Sequence, residues 1–329
     1  MKKVLILHTG GTLGMELSGE PSDDKKFLAS LKKICPEIFE RAEIGLQVLF
    51  NKDSSNLHPR DWIDIANRIH QNLSLWDAFV VIHGTDTMAF TASALSFMMP
   101  GINKPVIITG SQRPLIDPRS DAPRNLINAV DLACDSKVNE IMVFFDSVLL
   151  RGNRSKKVSV SKFGAFESPN FPAIATVGAS VEWMTPPPFN LPYTFDNRLE
   201  THVASVHLFP GLNVDMLLPL ISKRVKGLII HGFGPGDIPL GENSVLHLIR
   251  AASQVGVPCV ICSQAIYGSV DLNLYATGRN ARAAGAISGG DMTFESILTK
   301  MMALLGRGTG SSRFAREFES NYVGERNAL

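Results

Sequence analysis

Two threonines, Thr12 and Thr85, each stand in a glycine-rich turn and could take part in acyl transfer. Thr12 lies in HTGGTLG (residues 8–14) and Thr85 in HGTDTM (residues 83–88), and each segment follows an apolar run. A threonine hydroxyl is a weak nucleophile until a neighbouring base or cation activates it. The pattern therefore predicts acyl chemistry by two buried hydroxyl groups of one cleft, provided that activating groups lie beside them.

The sequence supplies candidate activating groups of both charges. Asp86 follows Thr85 directly, and the basic run RGNRSKK (residues 151–157) follows an apolar strand expected at the same sheet edge. A lysine buried beside a carboxylate and a hydroxyl could orient or deprotonate that hydroxyl. A Lys-Lys pair is more often a solvated surface feature, and a glycine-threonine turn is more often only a turn. From these residues alone, both interpretations stay open.

The apolar runs before the two turns are typical of parallel strands that are covered on both faces. The alternation of such runs with amphipathic stretches predicts a doubly wound α/β sheet, in which ligands collect beyond the carboxyl ends of the strands. Strands are predicted near 4–7, 46–50, 78–83, 106–109 and 140–145, and helices near 24–34, 59–73, 87–99 and 122–134.

Chain length and proline content predict two domains. The chain has 329 residues, which exceeds the size at which single cores stop growing. Prolines at 186–188 and Pro192 interrupt the strand and helix pattern. We predict a larger N-terminal domain with a mainly parallel, doubly wound sheet (1–185), a linker (186–204) and a smaller C-terminal α/β domain (205–329). The polar segment after Gly306 is expected to be loosely held.

The composition favours a small-molecule partner over nucleic acid or a membrane. Lys and Arg number 32 against 31 Asp and Glu, so the net charge is close to zero. The protein therefore has no general electrostatic attraction to nucleic acid or to anionic lipid. No apolar run has the length of a signal-peptide core or a bilayer span, which predicts a cytoplasmic location. The glycines at 10–14 do not form G-x-G-x-x-G, so nucleotide binding is a minority alternative.

The cysteines and histidines do not form a pattern typical of a metal or redox site. Four scattered cysteines are too few for a disulfide scaffold, and Cys259 and Cys262 lie in an apolar run that reads as a buried strand. The eight histidines show no ligand spacing. We therefore expect neither a metal nor an organic cofactor.

Taken together, the two threonine turns resemble the two signatures of the bacterial-type L-asparaginases. Further motifs in the same order extend the resemblance from Val4 to about Leu305. The RGNR and GSQ patterns and the absence of a leader-like run resemble the cytoplasmic type I branch rather than the secreted type II branch. The supporting motifs are DSS (53–55), TGSQ (109–112), RSD (119–121), NL (125–126), RGNR (151–154), YATG (275–278) and GDMT (290–293).

The resemblance implies a catalytic role for four residues. Thr12 matches the presumed nucleophile on a mobile loop, and Thr85, Asp86 and Lys157 match a second, rigid triad. These roles imply hydrolysis of L-asparagine to L-aspartate and ammonia without a cofactor. Attack could come from Thr12, through an acyl-enzyme, or directly from a water molecule activated at Thr85. The sequence does not separate these two routes.

The resemblance also implies how substrate is held and how the chain assembles. Asp53 and Ser54, with Ser55 adjacent, match the residues that grip the α-amino and α-carboxylate groups of the substrate, and Thr85 and Asp86 complete this set. A zwitterionic head needs a carboxylate partner and several hydroxyl or amide donors. The family builds its active site across a subunit interface, which implies a homodimer or homotetramer.

Two departures and two alternative functions accompany the resemblance. The family usually carries a tyrosine in the loop after the nucleophilic threonine, and this chain has no tyrosine before Tyr193. The positions of a known asparagine effector site are occupied by Lys156, His231 and Ala265, so no such site is expected.

A catalytically weak amino-acid-binding or regulatory protein is the main alternative. A tRNA-linked amidotransferase subunit is expected to carry an extension before the first motif.

Overall fold

The fold consists of two compact α/β units, Met1–Asn197 and Arg198–Leu329. The computed structural model describes residues 1–15, 18, 24–135, 137, 139–184, 191–221, 224–241 and 244–327. The prolines at 186–188, on which the predicted linker partly rests, lie outside these residues. The predicted fold class, a larger unit with a mainly parallel sheet and a smaller α/β unit, is confirmed.

Unit 1 contains the strands and helices that hold both threonine turns. Its strands are β1 (Lys3–Gly10), β2 (Glu43–Lys52), β3 (Ala78–Ile82), β4 (Val106–Thr109), β5 (Ile141–Phe145), β6 (Val148–Arg151), β7 (Lys156–Lys157), β8 (Phe166–Glu167), β9 (Ala175–Val177) and β10 (Val181–Trp183). Its α-helices are α1 (Asp24–Ile34), α2 (Glu37–Arg41), α3 (Pro59–Asn72), α4 (Met88–Met98) and α5 (Ala122–Ala133). Short 3-10 helices span Thr12–Gly14, Ser54–Asn56 and Gly152–Arg154.

The main sheet of unit 1 has the strand order β10-β9-β6-β5-β4-β3-β1-β2. Strands β2, β1, β3, β4 and β5 pair in parallel, whereas β6, β9 and β10 add an antiparallel extension. Strand order reverses between β1 and β3, because β2 lies outside β1 while β4 continues beyond β3. Such a switch point opens a crevice at the carboxyl ends of the strands, where α/β proteins bind ligands.

The central strands are buried on both faces, which explains their continuous apolar sequence. Every residue of β3 is fully buried, and so are Val4 to Leu7 of β1. One core cluster joins Ile6 and Val80 of these strands to Leu31 of α1 and Leu126 of α5. Full burial of one such side chain stabilises the fold by about 1.5–3 kcal/mol, so this cluster anchors the strand ends firmly.

Unit 2 is built on a smaller sheet whose strands all pair in parallel, in the order β11-β12-β13-β14. Cys259 and Cys262 are buried free thiols in this sheet, as the core interpretation predicted. Burial raises the pKa of Cys259 to about 12. Its elements are β11 (Val203–His207), β12 (Gly227–Gly232), β13 (Cys259–Ser263), β14 (Ala286–Ser288), α6 (Leu246–Gln254), α7 (Ala276–Ala283), α8 (Phe294–Gly306), α9 (Ser311–Glu319) and a 3-10 helix at Val214–Leu220.

The segment after Gly306 is ordered, so the expectation that it is loosely held is wrong. Helix α9 buries Phe314 and Phe318, four residues apart on one face, with ring centroids 5.7 Å apart. Beyond α9, the buried carboxylate of Glu325 pairs with the buried ammonium of Lys300 on α8. A polar composition concealed these anchors. Among the described residues, no helix is both long and apolar enough to cross a lipid bilayer.

Candidate active site

The Thr85 turn connects β3 to α4 at the carboxyl edge of the main sheet. Lys157 Nζ donates hydrogen bonds to Thr85 Oγ1 (2.8 Å) and to Asp86 Oδ1 (2.6 Å). Thr85 is buried and the Lys157 side chain is 18% exposed, whereas the Asp86 side chain is 61% exposed. The predicted group of a hydroxyl, an amine and a carboxylate is therefore assembled, with its carboxylate largely exposed.

Lys157 reaches this position because the basic run from 151 to 157 divides into two parts. The buried guanidinium groups of Arg151 and Arg154 lie over the ring of Phe171, 4.7 and 4.9 Å from its centroid, and Arg151 also pairs with Glu140 at 2.8 Å. These arginines anchor the chain between β6 and β7. The short β7–β8 hairpin then carries Lys157 to the Thr85 turn. The run is thus partly structural and partly a contributor to the site.

Ser54 links the end of β2 to the Thr85 turn. Its buried hydroxyl accepts a hydrogen bond from the backbone N–H of Asp86 (3.2 Å), and its carbonyl accepts one from Thr87 Oγ1 (2.8 Å). A Cβ on Gly84 would lie 2.6 Å from Ser54 Oγ, so only glycine permits this approach. Sequence reasoning selected Ser54 but not Thr87, although both lie within the recognised motifs.

Asp53 presents an ionised carboxylate beside Ser54. Its Oδ1 accepts hydrogen bonds from the backbone N–H and the hydroxyl of Ser55, both at 2.8 Å. The first of these bonds, followed by the second, lowers the pKa of Asp53 below its ordinary value. Because Asp53 and Ser55 are exposed, the carboxylate can receive a ligand ammonium group. Ser55 therefore holds Asp53 in place.

The Thr12 turn packs against the Thr85 turn through glycine. Gly11 adopts a positive φ of 85°, and a Cβ there would collide with the backbone of Gly84. The Gly11 N–H also donates to the carbonyl of Lys52 (3.1 Å), which ties this turn to the end of β2. Three loops, after β1, β2 and β3, thus meet at the switch point. The apolar runs predicted this edge for the two threonine turns, and the family resemblance supplied the loop after β2.

Thr12 itself is half-buried, so the prediction of two buried hydroxyls is correct for Thr85 and wrong for Thr12. Successive side chains of a 3-10 helix point about 120° apart. Leu13 is fully buried in this helix, and its carbonyl accepts a hydrogen bond from the N–H of Leu115 (3.2 Å). Burial of Leu13 therefore directs its neighbour Thr12 away from the core.

His83, which precedes the Thr85 turn, is a fully buried neutral imidazole that sequence reasoning did not assign. Its Nδ1–H donates to the carbonyl of Gly84 (2.6 Å), so Nε2 accepts from Thr91 Oγ1 (2.8 Å). Burial lowers the pKa of His83 to about 4. The ring connects the turn to α4. Its position directly before Gly84 was the available signal, but sequence alone does not show burial.

Comparison with known proteins agrees with this geometry. A family model described as "Asparaginase, N-terminal" matches residues 3–189, and one described as "Glutaminase/Asparaginase C-terminal domain" matches residues 202–318. L-asparaginase 1 of Escherichia coli K12 is 36% identical, with 98% of each chain covered. The L-asparaginase of Thermococcus kodakarensis is 35% identical, again with 98% of each chain covered. A glutamyl-tRNA(Gln) amidotransferase component of Pyrococcus horikoshii is 37% identical over 98% of this chain and 76% of that protein.

A solved structure extends the agreement to three dimensions. L-asparaginase I from Vibrio cholerae superposes with a TM-score of 0.91 at 36% identity, and the match covers 99% of both chains. Identity at this level along the whole chain, together with both family models, confirms the resemblance inferred from the motifs. The chain therefore belongs to the bacterial-type L-asparaginase family, on its type I branch.

Proposed function

We propose that this protein hydrolyses L-asparagine to L-aspartate and ammonia. One observation carries the proposal: Lys157 Nζ contacts both Thr85 Oγ1 and Asp86 Oδ1, at the switch point where the Thr12 turn also packs. Substrate binding alone does not require this combination of hydroxyl, ammonium and carboxylate. Relatives named L-asparaginase match this chain along its whole length, which supports the same substrate here.

The head of the substrate would be held by the loops after β2 and β3. Asp53, kept ionised by its bonds from Ser55, is suited to the α-ammonium group, and the open carboxylate of Asp86 can add a second contact. The hydroxyl of Ser54 accepts from the Asp86 N–H and can donate its own proton to the α-carboxylate, whereas the hydroxyl proton of Ser55 is donated to Asp53. The side-chain amide of asparagine would then extend toward Thr12 and Thr85.

The proposed reaction proceeds by two displacements. Thr12 Oγ1 attacks the amide carbon, its proton passes to the amide nitrogen, and the C–N bond breaks to release ammonia and leave an aspartyl ester. Water then attacks the ester, its proton returns to Thr12 Oγ1, and L-aspartate leaves. Lys157 is placed to stabilise negative charge that develops at Thr85 Oγ1, which in turn can orient the attacking water.

Direct attack by water at Thr85 is the competing route, and it needs no ester on Thr12. Rapid quenching in the steady state, followed by intact-mass spectrometry and then by mass analysis of proteolytic peptides, distinguishes the two. Double displacement predicts a covalent adduct with the mass of an aspartyl group, located on the peptide that contains Thr12. A direct route predicts no adduct at any time, together with measurable turnover by Thr12→Ala.

The protein is further proposed to act in the cytoplasm as a homodimer or homotetramer. The exposure of Asp86 and Asp53 supports assembly, because electrostatic catalysis is strongest where water is excluded. Unit 2 also exposes apolar side chains that a partner subunit could cover, including Phe209 (55%) and Met216 (75%). Light scattering at assay concentration tests this part, and a fully active monomer would contradict it.

Ammonia release from asparagine by the purified protein is the primary test of the proposed function. We expect turnover of about 1–1,000 per second, the usual range for enzymes, and its loss in Thr85→Val. The alternative, an amino-acid-binding protein without efficient turnover, predicts calorimetric binding of asparagine with no ammonia above the blank. That result would overturn the proposal.

A further inference from the structure

His8, near the end of β1, lies directly beneath the turn that carries Thr12. Its Nδ1 accepts a hydrogen bond from the backbone N–H of Gly10 (2.9 Å), and the side chain is only 2% exposed. A ring nitrogen that accepts carries no proton, so the proton of the neutral ring lies on Nε2. A bond from a side chain to the N–H two residues later is the arrangement of an Asx turn, here made by an imidazole.

The turn also folds closely over this ring. A Cβ at Gly14 would collide with Nε2 of His8, so glycine allows the 3-10 helix to rest on the imidazole. On another side, Phe27 of α1 contacts the ring edge to face, with centroids 4.3 Å apart and planes at 88°. His8 therefore fills the space between the Thr12 turn and α1, and it hydrogen-bonds the first residue of the turn.

A turn with two adjacent glycines needs such an external constraint. Gly10 and Gly11 both adopt positive φ, and glycine can also adopt many other conformations that would not preserve this turn. Gly11 must remain against Gly84 for the two threonine turns to stay together. The hydrogen bond from the Gly10 N–H to His8 restricts the backbone conformation of Gly10, the residue directly before Gly11. It thereby also restricts the position of Thr12.

We propose that His8 is a positioning residue, which holds the 10–14 turn in the conformation that places Thr12 beside the Thr85 turn. The inference rests on the proposed role of Thr12 as the nucleophile. His8 acts through the backbone of Gly10. It supplies local order to this turn, and the sequence has no tyrosine before Tyr193 that could do so from the loop after Thr12.

Two substitutions separate the hydrogen bond from the filling of space, because each keeps one and loses the other. His8→Leu retains a side chain of similar bulk and removes the acceptor. His8→Asn leaves a gap beside Phe27 but keeps an acceptor that can reach the Gly10 N–H in an Asx turn. Phe27→Leu serves as the matched control, since it alters the packing of the ring without touching its bond.

The experiment measures kcat and KM for asparagine, with thermal unfolding in parallel, for the wild type and these three variants. We expect His8→Leu to lower kcat about tenfold to a hundredfold, the usual effect of a slightly misplaced catalytic group. Its KM should change less than about threefold, because Asp53 and Ser54 lie on another loop. His8→Asn should recover most of kcat, and Phe27→Leu should keep it.

The opposite order, with His8→Leu active and His8→Asn impaired, would mean that His8 only fills space, and would overturn the inference. A change confined to KM would overturn it as well. Thr12→Ala in the same series separates failure of the proposed nucleophile from failure of the proposed role of His8. If Thr12→Ala is active, the proposed nucleophile fails; if it is inactive while His8→Leu keeps full kcat, only the role of His8 fails.

A measurement on the wild-type protein covers the case in which His8→Leu does not fold. Nitrogen-15 NMR of the imidazoles, with His8→Asn used to assign the His8 signals, reports the protonation state of each ring nitrogen. The inference requires an unprotonated Nδ1 and a protonated Nε2 at neutral pH. A charged ring, or a proton on Nδ1, would overturn it, because neither can accept from Gly10.

Discussion

Lys157 Nζ and Thr85 Oγ1 lie 2.8 Å apart, although 72 positions separate the two residues along the chain. The contact joins the separate β7–β8 hairpin to the turn that follows β3, a central parallel strand of the main sheet. It is made within unit 1, shortly after β3, a strand in which every residue is fully buried. Such a rigid strand can hold the amine and the hydroxyl in fixed geometry throughout turnover.

Replacement of Lys157 tests this contact against its neighbour in sequence. Lys157→Met should lower kcat for asparagine by about a thousandfold or more, because Thr85 loses its charged partner. Lys156→Met is the matched control and should retain activity, since adjacent side chains of β7 point to opposite faces. Steady-state ammonia release measures both, and equal behaviour of the two variants would contradict the assignment.

Substitution of the threonines tests whether both hydroxyls act as one unit. Thr12→Ala and Thr85→Val should each reduce kcat by several orders of magnitude while the thermal unfolding temperature changes little. Neither hydroxyl belongs to the apolar core clusters that anchor the strands. Circular dichroism melts provide the control for folding. Near-normal kcat in either well-folded variant would remove that threonine from the proposed mechanism.

Discrimination between asparagine and glutamine tests the size of the proposed site. Glutamine is longer by one methylene, and a pocket fitted to the shorter amide discriminates by about 1–3 kcal/mol per methylene. We therefore expect kcat/KM for asparagine to exceed that for glutamine by roughly tenfold to two hundredfold. Competition of both substrates in one reaction, followed by amino-acid analysis, gives the ratio directly. Equal values would refute the prediction.

The buried neutral His83 predicts a loss of stability in mild acid. Its pKa is about 4 in the folded protein against an ordinary value of 6.5, so the unfolded state takes up the proton first. The stabilising effect is complete above about pH 6.5 and is lost as pH falls toward 4. From pH 7 to pH 5 the cost is about 2 kcal/mol.

Urea unfolding at the two pH values measures this effect for the wild type and for His83→Gln, which cannot titrate. The difference between the two proteins isolates His83 from all carboxylates. We expect the wild type to lose about 2 kcal/mol more than His83→Gln over this interval. The same loss in both proteins would show that other groups cause the acid sensitivity.

The Lys300–Glu325 pair predicts a large and specific effect on stability. Both side chains are buried, and Glu325 also accepts hydrogen bonds from the N–H groups of Tyr322 (3.0 Å) and Val323 (2.6 Å). Lys300→Met leaves a buried carboxylate without its cation and should cost about 3–5 kcal/mol. Denaturant unfolding checks this value. The double variant Lys300→Met with Glu325→Gln should recover part of the loss, and strict additivity would contradict the coupling.

The parallel core of unit 1 could be predicted because its sequence signal is local. A strand covered on both faces reads as a continuous apolar run, and the runs at 78–83 and 106–109 correspond closely to Ala78–Ile82 and Val106–Thr109. Helices α1 and α3 were likewise marked by their amphipathic spacing. Glycine-rich turns after such strands then indicated the edge at which the site lies.

The short antiparallel strands could not be predicted, because two or three residues do not establish a period. Strands β7 and β8 each span only two residues, and tertiary pairing alone defines them. The same limit concealed the pairing of Lys157 with Thr85, which the family resemblance supplied instead. The charge of Arg151 and Arg154 predicted exposure, but both are buried. Their burial depends on contacts with Phe171 and Glu140, which are not adjacent in sequence.

The pairing of Lys300 with Glu325 also bears on the order of events during synthesis. Unit 1 is complete at Asn197, whereas the buried ammonium of α8 in unit 2 gains its carboxylate only when Glu325 has been made. At about 5–20 residues per second, the ribosome needs roughly 6–26 s to travel from Asn197 to Glu325. Unit 1, which carries both threonine turns, can therefore begin to fold before unit 2 is complete. The segment that contains Glu325 packs against α8 late.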